Sequence, residues 1–446
     1  MEPRCVLAPD DIRLSDLGFW KRPPEEREGA FATLRRERPI SFHEEPEVAL
    51  LGKGPGFWAL TRYADVLEVS RQPEIFSSAR GGVNIIDMPP DFTEFFGSMI
   101  VMDDPRHARL RRIVSRGFTP GMLRSVDASV EIAARSIIDA VIDKGSCDFV
   151  FDIAAALPLK IICDMMGIAA ADYQFVFDRT NIILGAGDPE YVADPATIVP
   201  ALLHAGQELS QLMQDLAAHR REHPTDDLTS ALLHAEVDGE RLSDAEIGSF
   251  FVLLVAAGNE TTRNAISHGM KALCDYPDQR RLWASDFERL APGAVEEIVR
   301  WASPVIHFRR TATRDTEIGG DRGQPHTGAG GGDRGQPHTG AGGRVQKIRA
   351  GDKVVMWYNS ANRDETVFDD PYRFDIRRTP NDHVGFGGPG PHFCMGAHLA
   401  RREITVMFRE LLRRLPDLQI TAEPERLLSF FIHGIKRMPC HFTPRR

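Results

Sequence analysis

The sequence predicts a mainly α-helical fold with small β-sheets, organised as one large domain, and three observations support that prediction. Five long segments repeat apolar residues at helical spacing: 122–143, 198–221, 244–275, 292–301 and 397–415. Strand-like runs are few and short, namely "FWALTRY" at 57–63, "DKVVMWYN" at 352–359 and "LLSFFIHGI" at 427–435, which puts small sheets towards the two ends of the chain. No change of composition divides the 446 residues into halves that would fold separately.

The 244–275 segment has the clearest boundaries. Ser243 and Glu246 form an S-x-x-E capping box before it, and Pro277 follows its end. At 1.5 Å per residue such a helix would run about 48 Å, enough to cross a domain. Its middle, "LLVAAGNETTRN", changes abruptly from apolar to polar. Further on, 319–330 reads "GGDRGQPHTGAG" and 331–342 repeats it letter for letter. A glycine-rich stretch with nothing larger than Ala to bury belongs in a surface loop, here one between two strands. His326 and His338 then read as solvated residues rather than metal ligands.

Composition narrows the function. The chain is 42% hydrophobic and 26% charged, as an ordinary globular protein is. A net charge of −10 argues against a general nucleic-acid binder, which needs a basic footprint. The first residues show no charged-then-apolar leader. The longest apolar run, "FFVLLVAAG" at 250–258, is far short of the roughly 18 residues of a membrane span. Six scattered cysteines without a C-x-x-C pair fit a reducing compartment, so a cytoplasmic location is expected.

One cysteine stands out. Cys394 lies in "FGGPGPHFCMG", 386–396, among four glycines and two prolines, where neither helix nor central strand can form. Cys394 could be buried filler, half of a disulfide, a nucleophile or a metal-bound thiolate. Filler would not need the chain held open, and His392 alone is weak support for a nucleophile's base. A thiolate ligand explains more. Glycines let the backbone lie flat against a planar cofactor, N–H groups can point at the sulfur, and the dipole of the helix that follows favours an anion.

The loop and the "AHLARRE" after it resemble the haem-binding segment of the cytochrome P450 family. One departure is visible: the family's usual Phe lies seven residues before the Cys, where this chain has Gly387, and Phe386 comes one position earlier. Four further stretches carry the same resemblance. "LLVAAGNETTRN" is similar to the oxygen-groove segment, which implies Ala257 and Gly258 as small residues beside the haem and Glu260 and Thr261 as the pair that delivers protons. On the residues alone, Glu260 could equally be salt-bridged and Thr261 bonded back to a carbonyl one turn earlier. "VEEIVRW" supplies Glu297 and Arg300 at i, i+3, for which the family implies a later arginine partner, best matched by Arg373. "DDPRHARLRRIVSRGF" places His107 and Arg111 about 40° apart round a helix, suited to a haem propionate. "HFRRTATRD" offers Arg310 for the other propionate, with Arg309 as competitor.

The resemblance implies a single P450 fold across 1–446, with haem between the long central helix and the Cys loop. Haem b would be ligated by Cys394 and contacted by Phe386, Gly387, His392 and Gly396. It implies a monooxygenase that takes its electrons from a ferredoxin and its reductase. Arg109, Arg112 and Arg116, with Arg401, Arg402 and Arg409, could form a basic docking patch. "FGSMIVMDDPRH", "AGNETTRNAISHG", "EEIVRWASPV" and "FIHGIK" further resemble bacterial lipid omega-hydroxylases, above all those acting on methyl-branched lipids. Fatty acids, isoprenoids or sterol side chains hydroxylated near the terminal carbon are thus the expected substrates. Phe96, Met99, Ile100, Leu253, Val305 and Phe431, with Ala257, are the expected channel walls. Alternatives are a peroxide-driven fatty-acid hydroxylase, a family member tailoring a secondary metabolite, and a non-catalytic haem or lipid binder.

Overall fold

The structure is a computed structural model that describes residues 2–48, 50–87, 92–117, 120–237, 239–320 and 345–445. Its centre is the helix Asp244–Asp275, and the capping box of Ser243 and Glu246 forms as the sequence dictates. Helices Ile198–Glu222, Ala156–Met166, Phe287–Ala302 and Ala397–Arg414 pack round it. Their apolar stripes meet in one large core that includes Phe250, Val255, Ile266, Trp283 and Met407. No helix among the described residues is long and apolar enough to cross a membrane.

The expected helix at 292–301 begins earlier, at Phe287, so Pro292 lies inside it. The carbonyl that this proline leaves without a donor belongs to Glu288, in the solvent-facing first turn, where water can satisfy it. The sheets differ more from expectation. Instead of small sheets at the two ends, one five-stranded sheet combines them, in the order Ile40–His43, Phe57–Leu60, Lys353–Trp357, His307–Ala312, Phe76–Ser77. Phe57–Leu60 pairs in parallel with Lys353–Trp357; the other pairings are antiparallel.

The run 427–435 is mostly not strand. The Ser429 hydroxyl accepts from the N–H groups of Phe431 (3.0 Å) and Ile432 (3.1 Å), which turns the chain and leaves a bridge between Val305 and Ile432 and a strand that starts only at Ile435. Thr316–Ile318 and Gln346–Ile348 pair antiparallel on either side of the duplicated segment. The repeat itself, with His326 and His338, lies outside the described residues beyond Gly320.

Candidate active site

The Cys loop is an open turn with its own internal bond. The Cys394 N–H donates to the Phe386 carbonyl at 2.9 Å, and Gly387 between them sits at φ +88°, a conformation that a Phe would adopt only under strain. Glycine suits that position, and the aromatic stands one residue earlier. The Phe386 ring is held by Arg401, whose guanidinium lies 4.4 Å from its centroid and pairs with Glu296 at 2.5 and 2.9 Å. His383 joins the same carboxylate at 3.0 Å. Glu296 and His383 were not anticipated; the doubled acid in "VEEIVRW" was the only signal.

Cys394 keeps an accessible side chain although protein surrounds it. Burial pushes its thiol up, while the N–H groups of Gly396 and Ala397 and the cations Arg111 and Arg401 pull it down. Gly396 stands at the N-terminus of Ala397–Arg414, so the helix dipole acts on the sulfur as well.

His107 and Arg111 share a helix face as the spacing requires. The two terminal nitrogens of Arg111 donate to the carbonyls of Pro391 (2.9 Å) and Phe393 (2.8 Å), so it clamps the Cys loop. His107 is buried against His392, with ring centroids 4.3 Å apart; its Nδ1 meets Asp104 and its Nε2 has no partner among the described residues. His392 bonds Ser78 at 3.0 Å, and burial, with Arg310 and His107 nearby, lowers its pKa to about 3, so it is neutral.

The choice between Arg309 and Arg310 follows from donor accounting. Arg309 is saturated by Asp87 and the carbonyls of Arg80, Gly82 and Ile85. Buried Arg310 makes one hydrogen bond, to the Arg309 carbonyl, and no ion pair among the described residues. A buried cation without a carboxylate, a buried imidazole nitrogen without a partner and an accessible cysteine on a glycine-rich loop fit a haem with its propionates.

Above this lies an apolar cavity of about 660 Å³. Phe96, Ile100, Leu253, Val305 and Phe431 line it, as do Ala257 and Thr261 from the central helix. Met99 does not; it is 5% exposed and packs in the main core. The loop 428–432 supplies more of the wall than expected, because its failure to form a strand frees its side chains to face inwards.

Two other residues of the oxygen-groove segment face elsewhere. A Cβ on Gly258 would come 2.5 Å from Cδ1 of Ile162, so this glycine serves the close approach of Ala156–Met166 rather than space for a ligand. Glu260 is buried away from the cavity, ion-paired with Arg263 and accepting from Asn264 at 3.0 Å. At 100° per residue, adjacent Glu260 and Thr261 cannot both face one side. Thr261 donates to the Ala257 carbonyl at 2.6 Å.

Below the loop, Glu297 is fully buried and chelates Arg300 at 2.7 Å through both oxygens. The second arginine is Arg378, at 3.1 and 3.3 Å, not Arg373. Arg373 is exposed and contributes its carbonyl, which accepts from both Arg300 and Arg378.

Comparison with known proteins agrees with this geometry. The profile of the cytochrome P450 family matches residues 340–424. Over 440 residues the chain is 52% identical to a methyl-branched lipid omega-hydroxylase of Mycobacterium tuberculosis, covering 98% of this chain and 95% of the relative. A steroid C26-monooxygenase of Mycolicibacterium smegmatis is 37% identical over 98% of this chain and 94% of its own length. Among solved structures, a Mycobacterium marinum cytochrome P450 in complex with pseudoionone superposes with a TM-score of 0.86 at 43% identity, covering 98% of this chain and all of that one. The thiolate loop, the charge cluster beneath it and the apolar cavity above it thus belong to a haem monooxygenase, and the chain is a member of the cytochrome P450 family.

Proposed function

We propose that this monooxygenase hydroxylates methyl-branched or isoprenoid lipids, fatty acids or sterol side chains at or near the terminal carbon. The observation that carries this reading is the 660 Å³ cavity, whose walls are aromatic and aliphatic and whose inner residues are Ala257 and Thr261. The two relatives, a methyl-branched lipid omega-hydroxylase and a steroid C26-monooxygenase, both oxidise a chain end.

Cys394 is the residue that would hold the iron of haem b, and His107, His392 and Arg310 those that would meet its propionates. When bound, the haem supplies oxygen activation and C–H hydroxylation. The chain's part is to orient, dry and protonate. Phe96, Leu253 and Phe431 exclude water from the chain end. The Thr261 hydroxyl is the proton donor that faces the cavity. Glu260 reaches it only by leaving Arg263, so the ion pair acts as a gate on proton supply.

Electrons would come from a ferredoxin and its reductase at the face that carries Arg112 and Arg116. The suggested basic patch is partly neutralised: Arg109 pairs with Glu240 and Glu246, Arg402 with Asp127 and Glu131, and Arg409 with Glu131 and Glu288. Charge reversal at Arg112 and Arg116 should slow reduction by the ferredoxin, and more so at low salt. Unchanged reduction rates would remove this face from consideration.

The reading is tested by product analysis after turnover with matched linear and branched lipids and a surrogate ferredoxin system. Hydroxylation at the terminal carbon is expected, with branched chains favoured. Oxidation only at internal carbons, or product with peroxide but none with the ferredoxin, would refute it.

A further inference from the structure

A second cavity, of about 690 Å³, lies between the start of helix Pro24–Glu37, the C-terminal end of Asp244–Asp275 and the strand Glu425–Arg426. It is polar, and none of the residues assigned above to haem, lipid or proton delivery lines it. The run 426–433 forms a partition: Leu428–Ile432 face the lipid cavity, whereas Arg426 and His433 face the polar one.

The polar cavity collects cations in an unusual state. Arg27 is only 9% exposed, its guanidinium stacks 5.5 Å from the Trp20 ring centroid, and its Nε has no hydrogen-bond partner. Neither Arg27 nor Arg426 has a carboxylate within ion-pair distance among the described residues. Burial lowers the pKa of Arg27, and Arg426 is its next largest perturbant, so the two charges repel each other. Arg363, stacked on Trp301 at 4.9 Å, donates only to the carbonyls of Arg300 and Trp301.

Four acids line the cavity beside its four Lys and Arg cations, but none lies within ion-pair distance of Arg27, Arg363 or Arg426 among the described residues. Asp275 and Glu423 sit at the rim, with side chains 50% and 86% exposed, and share Lys271. Glu25 and Glu28 line it from the same helix as Arg27. Buried guanidiniums without counter-ions are costly, and a planar fork of donors suits an oxyanion.

We propose that this cavity is a second binding site, for a small oxyanion of the phosphate or carboxylate class, gripped by Arg27 and Arg426. It is distinct from the lipid and haem sites and shares a wall with the former.

The test uses the full-length, haem-loaded protein. Sodium phosphate, pyrophosphate and succinate are titrated calorimetrically and in thermal melts, against sodium chloride at matched ionic strength. Saturable binding of one anion per chain is expected, with a raised melting temperature that chloride does not reproduce. Phosphate against succinate tells which oxyanion is preferred. R27Q/R426Q should weaken the tightest of them at least tenfold while leaving the reduced carbon monoxide spectrum unchanged. If R27Q prevents folding, Arg426, which is less buried than Arg27, carries the test alone as R426Q, with the same tenfold loss expected. Absence of saturable binding at millimolar anion, an equal effect of chloride, or unchanged affinity in the folded variant would overturn the proposal. None of these readouts depends on lipid turnover, so a wrong lipid assignment would leave them intact.

Discussion

Gly258 shows how a single residue can be small for a reason other than the obvious one. Its neighbours Ala257 and Thr261 border the cavity, but the glycine faces Ile162, and an added methyl would stand 2.5 Å from that side chain's terminal carbon. G258A should cost at most about 1 kcal/mol in denaturant unfolding, since only the flexible end of the Ile162 side chain has to shift and Ala is the better helix former. G258A/I162V should recover part of the loss and leave lipid affinity nearly unchanged. If G258A instead kept full stability and changed lipid affinity, the glycine would belong to the cavity after all. The same residue-scale logic covers Glu403, fully desolvated on the inner face of Ala397–Arg414 with one carboxylate oxygen lacking a partner. Burial raises its pKa to about 8. The acid is therefore protonated in the folded state, and it costs stability as pH rises from its ordinary value near 4.5 towards 8. E403Q should match the parent at pH 5 and exceed it at pH 8, by on the order of 2 kcal/mol. Equal curves at both values would refute the assignment.

At the scale of elements, the structure distinguishes what a sequence encodes locally from what only contact decides. The central helix, its capping box, the Cys loop and the Glu297–Arg300 pair were all legible, because each depends on residues within a few positions of one another. Arg378 was not, and Arg373 seemed the better match, because which arginine reaches a carboxylate some 80 positions away depends on how the meander folds back. The loop contacts of Arg111 were hidden for the same reason: spacing gave its helix face, but the carbonyls it grips lie 280 positions on. The strand expected at 427–435 failed because a serine hydroxyl competed for the backbone. The charge cluster makes the point testable. E297Q leaves the guanidiniums of Arg300 and Arg378 without their carboxylate and should cost about 3–5 kcal/mol. R378Q keeps the Glu297–Arg300 pair and should cost less, about 1–3 kcal/mol, whereas R373Q, which keeps the carbonyl, should stay within about 0.5 kcal/mol. Denaturant titration of the three variants decides it, and a large loss for R373Q would restore the original pairing.

For the whole molecule, the buried histidines set a limit on acid tolerance. His268 and His307 are buried, and burial lowers both to about 3; His433, stacked on His268, is held well below its usual value. Because their folded pKa values are depressed, the unfolded chain binds more protons between pH 6.5 and about 3, so stability is complete above 6.5 and declines as pH falls through that window. Unfolding free energies at pH 7, 6 and 5 should decrease steadily, each histidine adding up to about 1.4 kcal/mol per pH unit. A flat profile would mean that these rings are solvated. The sheet order has a consequence of another kind. Phe57–Leu60 finds its parallel neighbour Lys353–Trp357 only after about 300 further residues. At roughly 5–20 residues per second on the ribosome, the first strands must wait some 15 to 60 seconds for their partner to emerge. A nascent chain of this protein therefore carries an exposed hairpin edge for most of its synthesis, and how well a host cell shields that edge should govern how much active enzyme it yields.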